Sequence, residues 1–279
     1  MVEVTQWSVG EVAVAKVEES LVAVPRHQLV PDVTDEQIAA TRPWIDPYIN
    51  LDDELMLSFH TFVIEADGVT IVVDTCVGVE PPRRAPGDAD FPERLGAAID
   101  GGLDAVDVVL CTHLHFDHVG WNTRLVDGTR VPTFPNARYL FARAELDHMD
   151  AEGDTHEIRA ESVQPLLDRD LVDLIETDHL ITPGVRTVPT SGHTPGHVSV
   201  VIESNGQRAV ITGDAAHNPI QFAFPDLAAT NFDWDSEQSS ATRRWFIDEF
   251  DDALILGTHF AAPTAGHIER DGDGQVRFR

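Results

Sequence analysis

Apolar residues in this chain fall in short, nearly continuous runs, separated by polar stretches and turn residues. Runs at 57–65 and 69–74 are rich in β-branched and aromatic side chains and flank Ala66-Asp67-Gly68, which predicts a β-hairpin. Runs at 106–111, 138–141, 184–189, 198–203, 208–212 and 253–256 read as further strands, with Ser204-Asn205-Gly206 turning between two of them. Helical patterns occupy 92–100, 142–151, 156–167 and 236–250, the last with Asp235 as its cap. Strands and helices alternate in both halves, which predicts an α/β fold. The first 50 residues are broken by Pro25, Pro31, Pro43 and Pro47 and read as short strands followed by an irregular, lid-like arm. A Pro/Arg/Gly-rich loop is expected over 81–90. The organisation expected is one domain over 1–279 with an N-terminal arm of about 1–50.

Composition narrows this picture. A 42% hydrophobic content over 279 residues is ample for one large core. No apolar run approaches the length of a membrane span, and Met1-Val2-Glu3-Val4-Thr5 lacks the basic start and apolar stretch of a secretory leader, so a cytoplasmic location is expected. Cys76 and Cys111 lie inside β-like runs and read as small buried hydrophobes, not as a disulfide. The net charge is −29, and Lys16 is the single lysine among 19 basic residues. Such a surface repels phosphate backbones, which excludes nucleic acid and favours a neutral or cationic small-molecule substrate.

The chemistry begins at Thr112-His113-Leu114-His115-Phe116-Asp117-His118, where four potential ligands directly follow a strand. Imidazole nitrogen and carboxylate oxygen are the donors that suit zinc and similar divalent ions. Three further segments continue the pattern: Ser191-Gly192-His193-Thr194-Pro195-Gly196-His197, Thr212-Gly213-Asp214 and Gly257-Thr258-His259. Each follows or ends a β-like run. The candidate metal ligands are therefore His113, His115, Asp117, His118, His193, Asp214 and His259.

An HxHxDH motif followed in order by His, Asp and His resembles the metallo-β-lactamase superfamily, and the resemblance covers the chain from about Leu57 onward. It implies an αβ/βα sandwich of two mixed β-sheets flanked by helices. It implies two divalent metal ions, with Zn2+ expected and Mn, Fe or Co as alternatives. His113, His115 and His193 would hold one, Asp117, His118 and His259 the other, with Asp214 bridging. The implied reaction is attack of a metal-bound hydroxide on a neutral ester or lactone carbonyl, with Asp117 relaying a proton.

The segments Gly213-Asp214-Ala215-Ala216-His217, Gln221-Phe222, Phe232-Asp233-Trp234-Asp235 and Gly266-His267-Ile268 resemble the methyl parathion hydrolase-like branch, a neighbour of the acyl-homoserine lactonases. That points to an esterase or lactonase with phosphotriesterase-like side activity. The alternatives are a glyoxalase II-like thioesterase and a mononuclear-iron sulfur dioxygenase. Lactonases usually carry tyrosine where His217 stands, and His217 is assigned here as a second catalytic residue beside Asp117. Phe116, Trp121, Phe222, Phe224 and Phe260 adjoin ligand segments and are candidates for the substrate pocket. His197 and His267 read as structural, and Asp74 as a carboxylate that orients a ligand histidine. Trp44, Tyr48 and their apolar neighbours are expected to build a homodimer arm.

Overall fold

The computed structural model describes residues 4–79, 85–151, 155–229 and 232–279. Residues 81–84 of the expected loop over 81–90 lie outside the described residues. Every strand expected from 57 onward is present, with ends shifted by at most two residues. A seven-stranded sheet runs in the order Thr5–Val9, Val12–Val24, Leu55–Ala66, Val69–Val73, Val108–Leu110, Arg138–Ala142, Val172–Ile175. Its first four strands are antiparallel, and the last three continue in parallel from Val69–Val73. A six-stranded sheet runs Leu180–Thr182, Val185–Pro189, Val198–Ser204, Gln207–Ile211, Leu254–Leu256, Ala265–Gly266. It too begins as an antiparallel meander and then adds a parallel strand, Leu254–Leu256 beside Gln207–Ile211.

Side chains alternate across a strand, so the core shows which face points where. Ile64, Ile71, Leu110 and Leu140 of the first sheet meet Val200, Ile202, Ile211 and Leu256 of the second in one apolar layer. Their neighbours Val63, Val72, Val109 and Phe141 turn outward against helices Phe91–Ala98 and Arg143–Ala151. Val201, Val210 and Ile255 turn outward against helix Ser236–Glu249. Both faces of each central strand are covered, so these strands read as unbroken apolar runs. The layers are helix, sheet, sheet, helix: the αβ/βα sandwich. Among the described residues no helix is long and apolar enough to cross a membrane.

The first 50 residues differ from the irregular arm expected. Val12–Val24 is a 13-residue strand that pairs along Leu55–Ala66, from Ala13 opposite Glu65 to Val24 opposite Leu55. Helix Asp35–Ile45 then begins with a capping box: Thr34 accepts from the Gln37 N–H, and Gln37 Oε1 accepts from the Thr34 N–H. Pro43 sits near the helix C-terminus and does not prevent it. Tyr48 is buried, with its ring edge-on to Phe260 and Phe278. Its apolar surface is used in the core, which removes it from the dimer arm expected.

Candidate metal centre

Four loops bring the seven predicted ligands together. Loop 112–118 leaves strand Val108–Leu110, loop 191–197 joins Val185–Pro189 to Val198–Ser204, Asp214 follows Gln207–Ile211 and His259 follows Leu254–Leu256. His115 Nδ1 lies 2.9 Å from both His113 Nε2 and His193 Nε2. His259 Nε2 lies 3.3 Å from His118 Nε2 and 3.6 Å from Asp117 Oδ2.

Asp214 stands between the two groups and divides its oxygens. Oδ2 is 3.2 Å from His193 Nε2 and 3.8 Å from His113 Nε2. Oδ1 is 3.1 Å from His259 Nε2 and 3.3 Å from His118 Nε2. The Asp214 turn depends on Gly213, whose φ is +54°; a Cβ there would lie 2.4 Å from His197 Nε2. The same nitrogen accepts the Asp214 N–H at 2.7 Å, while His197 Nδ1–H donates to the Thr190 carbonyl at 3.0 Å. Both nitrogens of His197 are thus engaged in holding the turn, in keeping with the structural role expected. His267 Nδ1 likewise pairs with the Ala253 carbonyl at 3.0 Å.

The remaining ring nitrogens are fixed from behind. His118 Nδ1–H donates to Asp74 Oδ2 at 2.9 Å, His193 Nδ1–H to Asp233 Oδ1 at 3.2 Å, and His259 Nδ1–H to the Ser58 carbonyl at 3.2 Å. Asp74 also accepts the Thr112 N–H at 2.7 Å and the Thr112 hydroxyl, whose oxygen faces His113 Nδ1 at 3.2 Å. A proton held on Nδ1 leaves the Nε2 lone pair pointing into the site, which is how metal-ligating histidines are oriented. Asp74 does this from a left-handed backbone (φ 59°), a conformation a non-glycine residue adopts only when its surroundings enforce it.

Burial holds His113 well below the ordinary histidine pKa, lowers His115, and brings His193 down to about 3. At His118 burial also opposes charge, but Asp214, Asp74 and Asp117 outweigh it and raise the pKa well above the ordinary value. His259 is raised in the same way, chiefly by Asp214. Burial pushes the Asp214 carboxyl up, and the facing imidazoles His118, His259, His217 and His193 together pull it well below the usual range.

This donor set fits a pair of divalent cations. Within the sets His113–His115–His193, His113–His118–Asp214 and Asp117–His118–His259, ligand atoms lie within 4.8 Å of one another. Asp214 Oδ1 is buried and makes no hydrogen bond, although two imidazole nitrogens face it. A buried carboxylate oxygen without a hydrogen-bond partner is one that could hold a cation if one were bound.

His217 stands beside the cluster and, with His193 and Asp214, forms a further group that could hold a cation. Its Nε2 is 3.1 Å from Asp214 Oδ2, its ring lies parallel to that of His259 at 5.8 Å, and its backbone N–H donates to Gln221 Oε1. The candidate pocket aromatics scatter. Phe222 and Phe260 are fully buried in the core, where Phe222 stacks on Phe246 and meets Phe260 edge-on. Trp121 is buried too and donates its Nε1–H to Glu19 at 2.7 Å. Phe224 packs half-buried against the core. Phe222 and Phe260 are therefore packing residues and Trp121 is tied to Glu19, while Phe224 is only half-buried. Phe116, half-buried at the start of the Phe116–Val119 turn, remains beside Asp117 and His118.

Two residues of the site escaped the sequence reading. Asp233 orients His193 from 40 positions away. Glu145, buried on helix Arg143–Ala151, accepts the N–H of Leu114 at 3.2 Å and of Gly196 at 2.7 Å, tying the two histidine loops together. Asp233 lies in the segment Phe232-Asp233-Trp234-Asp235, but neither its role nor that of Glu145 shows in the sequence, because their partners become neighbours only in the fold.

The comparisons with known proteins agree with this geometry. The family model described as "Metallo-beta-lactamase superfamily" matches residues 60–271. An N-acyl homoserine lactonase of Bacillus sp. is 32% identical over 136 residues, 48% of each chain. N-acyl homoserine lactonase AiiA of Bacillus thuringiensis subsp. kurstaki is 31% identical over 152 residues, 54% of each. The match thus spans about half the length of these curated relatives. Two solved structures share the fold: hydrolase AbOPH of the beta lactamase superfamily and AidC, a dizinc quorum-quenching lactonase bound to a product. For AbOPH the TM-score is 0.82 at 22% identity, covering 100% of this chain and 97% of that one. For AidC it is 0.80 at 17% identity, covering 99% and 96%. With the family model matched across most of its length and the ligand motifs converging on one centre, the chain belongs to the metallo-β-lactamase superfamily.

Proposed function

We propose that this chain is a dinuclear, zinc-dependent hydrolase of neutral lactones or esters, with phosphotriester cleavage as a side activity. The observation that carries this reading is the division of the Asp214 oxygens between two histidine groups. That arrangement supports two cations over the single-iron alternative. When bound there, two such ions supply a shared water of lowered pKa and an electrophilic contact for the developing oxyanion.

The chain's own residues would do the rest. Asp117, like His115, is half-buried where the other ligands are buried, and its Oδ2 stands 3.7 Å from His118 Nε2, where it can take up a proton near the incoming group. His217, on the Oδ2 side of Asp214, can give a hydrogen bond to the substrate carbonyl or leaving oxygen. The lactonase names of the curated relatives favour lactones within this class.

The test is a rate panel on the zinc-loaded protein, covering aliphatic lactones, acyl-homoserine lactones, aryl esters and a phosphotriester, with metal content measured alongside. Two equivalents of metal and a preference for lactones or esters are expected. One equivalent, or turnover confined to S-lactoylglutathione or to oxygen uptake with a persulfide, overturns the reading. Replacing Asp214 by alanine should abolish turnover; an undiminished rate would remove the two-metal mechanism.

A further inference from the structure

The single lysine of the chain, Lys16, is buried on strand Val12–Val24. Alternation puts Lys16 and Glu18 on the same face as Val14, and Ser58 and His60 of strand Leu55–Ala66 on the same face as Phe62. Val14 and Phe62 belong to the apolar layer between the two sheets, so this polar group interrupts that layer. The Lys16 ammonium donates to Glu18 Oε2 at 2.9 Å and to Thr264 Oγ1 at 3.0 Å. Glu18 Oε2 also takes the Ser58 hydroxyl proton at 2.7 Å, which leaves the Ser58 oxygen to accept His60 Nδ1–H at 2.8 Å. Both ends of this chain of contacts hold the loop that carries His259. At one end the Ser58 N–H donates to the His259 carbonyl at 3.0 Å, and the Ser58 carbonyl accepts His259 Nδ1–H at 3.2 Å. At the other end the Thr264 carbonyl accepts the Gly257 N–H at 3.1 Å, and the Thr264 hydroxyl donates to the Phe260 carbonyl at 3.1 Å. Thr264 does so at φ 63°, which a β-branched residue adopts only when its surroundings enforce it.

We propose that Lys16 is a positioning residue for the metal centre: through Glu18 and Ser58 on one side and Thr264 on the other, it ties the first sheet to loop 257–264 and so fixes where His259 Nε2 stands. The role of His259 as a ligand rests on the function proposed above, whereas the tie stands on these contacts. Desolvation offsets most of what a buried ion pair gains, so such a pair contributes little to stability, but it does fix the distance between its partners. An apolar side chain at position 16 would fill the space between the sheets. It would leave Thr264, and with it the far end of the His259 loop, without a link to the strand that carries Ser58.

Cadmium binding tests the tie ion by ion. The full chain is loaded with cadmium, each bound ion giving its own NMR resonance, and His259→Ala identifies the ion that His259 holds. Lys16→Met keeps a long unbranched side chain and removes the ammonium group; Thr264→Val keeps the branched shape and removes the hydroxyl. Each should shift that resonance and lower that ion's affinity by about tenfold or more in chelator competition, with the other ion unaffected. Thr264→Ser keeps the hydroxyl and should behave as wild type. Lys16→Met with Glu18→Gln leaves no carboxylate unpaired, so its unfolding midpoint should lie above that of Lys16→Met while the affinity stays low. An affinity that recovers with the midpoint, equal weakening of both ions, or no weakening in Lys16→Met overturns the tie. A single cation in wild type would remove the two-metal reading alone, provided that this ion needs His259 and is weakened by Lys16→Met and Thr264→Val but not by Thr264→Ser. If His259→Ala changes neither resonance, or no cation binds, the tie falls.

Discussion

At the scale of single residues, the site divides into donors that a motif announces and partners that only the fold supplies. His113, His115, Asp117, His118 and His193 are legible because they cluster in sequence beside strand ends, and a cluster of that chemistry has few other uses. The role of Asp233 does not show in the sequence, because an aspartate just before a helix looks like a cap; Asp235 is the cap, and Asp233 faces His193. Asp233→Asn should keep the shape and lose the charge that steadies His193. Metal affinity measured by chelator competition should fall by about tenfold or more, the usual effect of removing such a partner. Equal affinity would mean that the Trp234 and Asp235 N–H groups, which donate to the His193 and Gly192 carbonyls, suffice to hold the loop. His217 presents the opposite case. Its Nδ1 is buried with no hydrogen-bond partner, whereas His118, His193 and His259 each have theirs fixed. It is not braced as a permanent ligand is. His217→Ala should therefore leave two metals bound while kcat drops by roughly 100-fold or more, the range for loss of a positioned acid. Loss of a metal in that variant would instead make His217 a ligand.

At the scale of elements, hydrophobic runs give the strands away because both faces of the central strands are covered. The same pattern says little about segments that meet only one neighbour. Helix Asp35–Ile45 is hidden among the breaks of Pro25, Pro31, Pro43 and Pro47, although the Thr34–Gln37 capping box starts it. The hairpin Thr123–Val126 with Thr129–Pro132 is half-exposed and lacks a long apolar run, and its sequence signal is the turn pair Asp127-Gly128, both at positive φ. Helix Arg143–Ala151 was legible as a helix but not as a clamp. Its buried Glu145 holds Leu114 and Gly196, so the helix sets the spacing of two ligand loops. Glu145→Ala would leave two buried N–H groups without acceptors, at about 1–3 kcal/mol each. The unfolding midpoint and the metal affinity should fall together. Glu145→Gln keeps one acceptor oxygen and should fall between. Burial raises the Glu145 pKa above its ordinary 4.5, despite the hydrogen bonds that oppose the rise. The folded state then binds this proton more tightly than the unfolded chain. Its contribution to stability is complete below pH 4.5 and is lost as pH rises through the raised folded value. Glu145→Gln has no such proton to lose. The stability of wild type relative to this variant should therefore decline with increasing pH across that window, as followed by denaturant unfolding; a flat difference would show that Glu145 titrates alike in both states.

At the scale of the whole molecule, 48 acidic residues face 19 basic ones. Many guanidiniums are already committed: Arg208 to Glu203 and Glu249, Arg138 to Asp173, Arg94 to Asp88. The lone lysine is buried between Glu18 and Thr264 and adds nothing to the surface. The excess negative charge therefore repels itself across the surface, and the folded state, being more compact, suffers more from it than the unfolded chain. Salt screens such repulsion beyond about 10 Å at 0.1 M. The unfolding temperature should thus rise as sodium chloride goes from about 10 mM towards 0.5 M. The same field acts on substrates before they reach the metals. Between otherwise matched esters, one neutral and one carrying a carboxylate tail, kcat/KM for the neutral one should hardly respond to salt. That for the anionic one should increase, because screening removes the barrier to its approach. Salt dependence of the same sign and size for both would place selectivity wholly in the pocket. A difference confined to the anionic ester would show that surface charge sets part of the selectivity before any contact in the pocket is made.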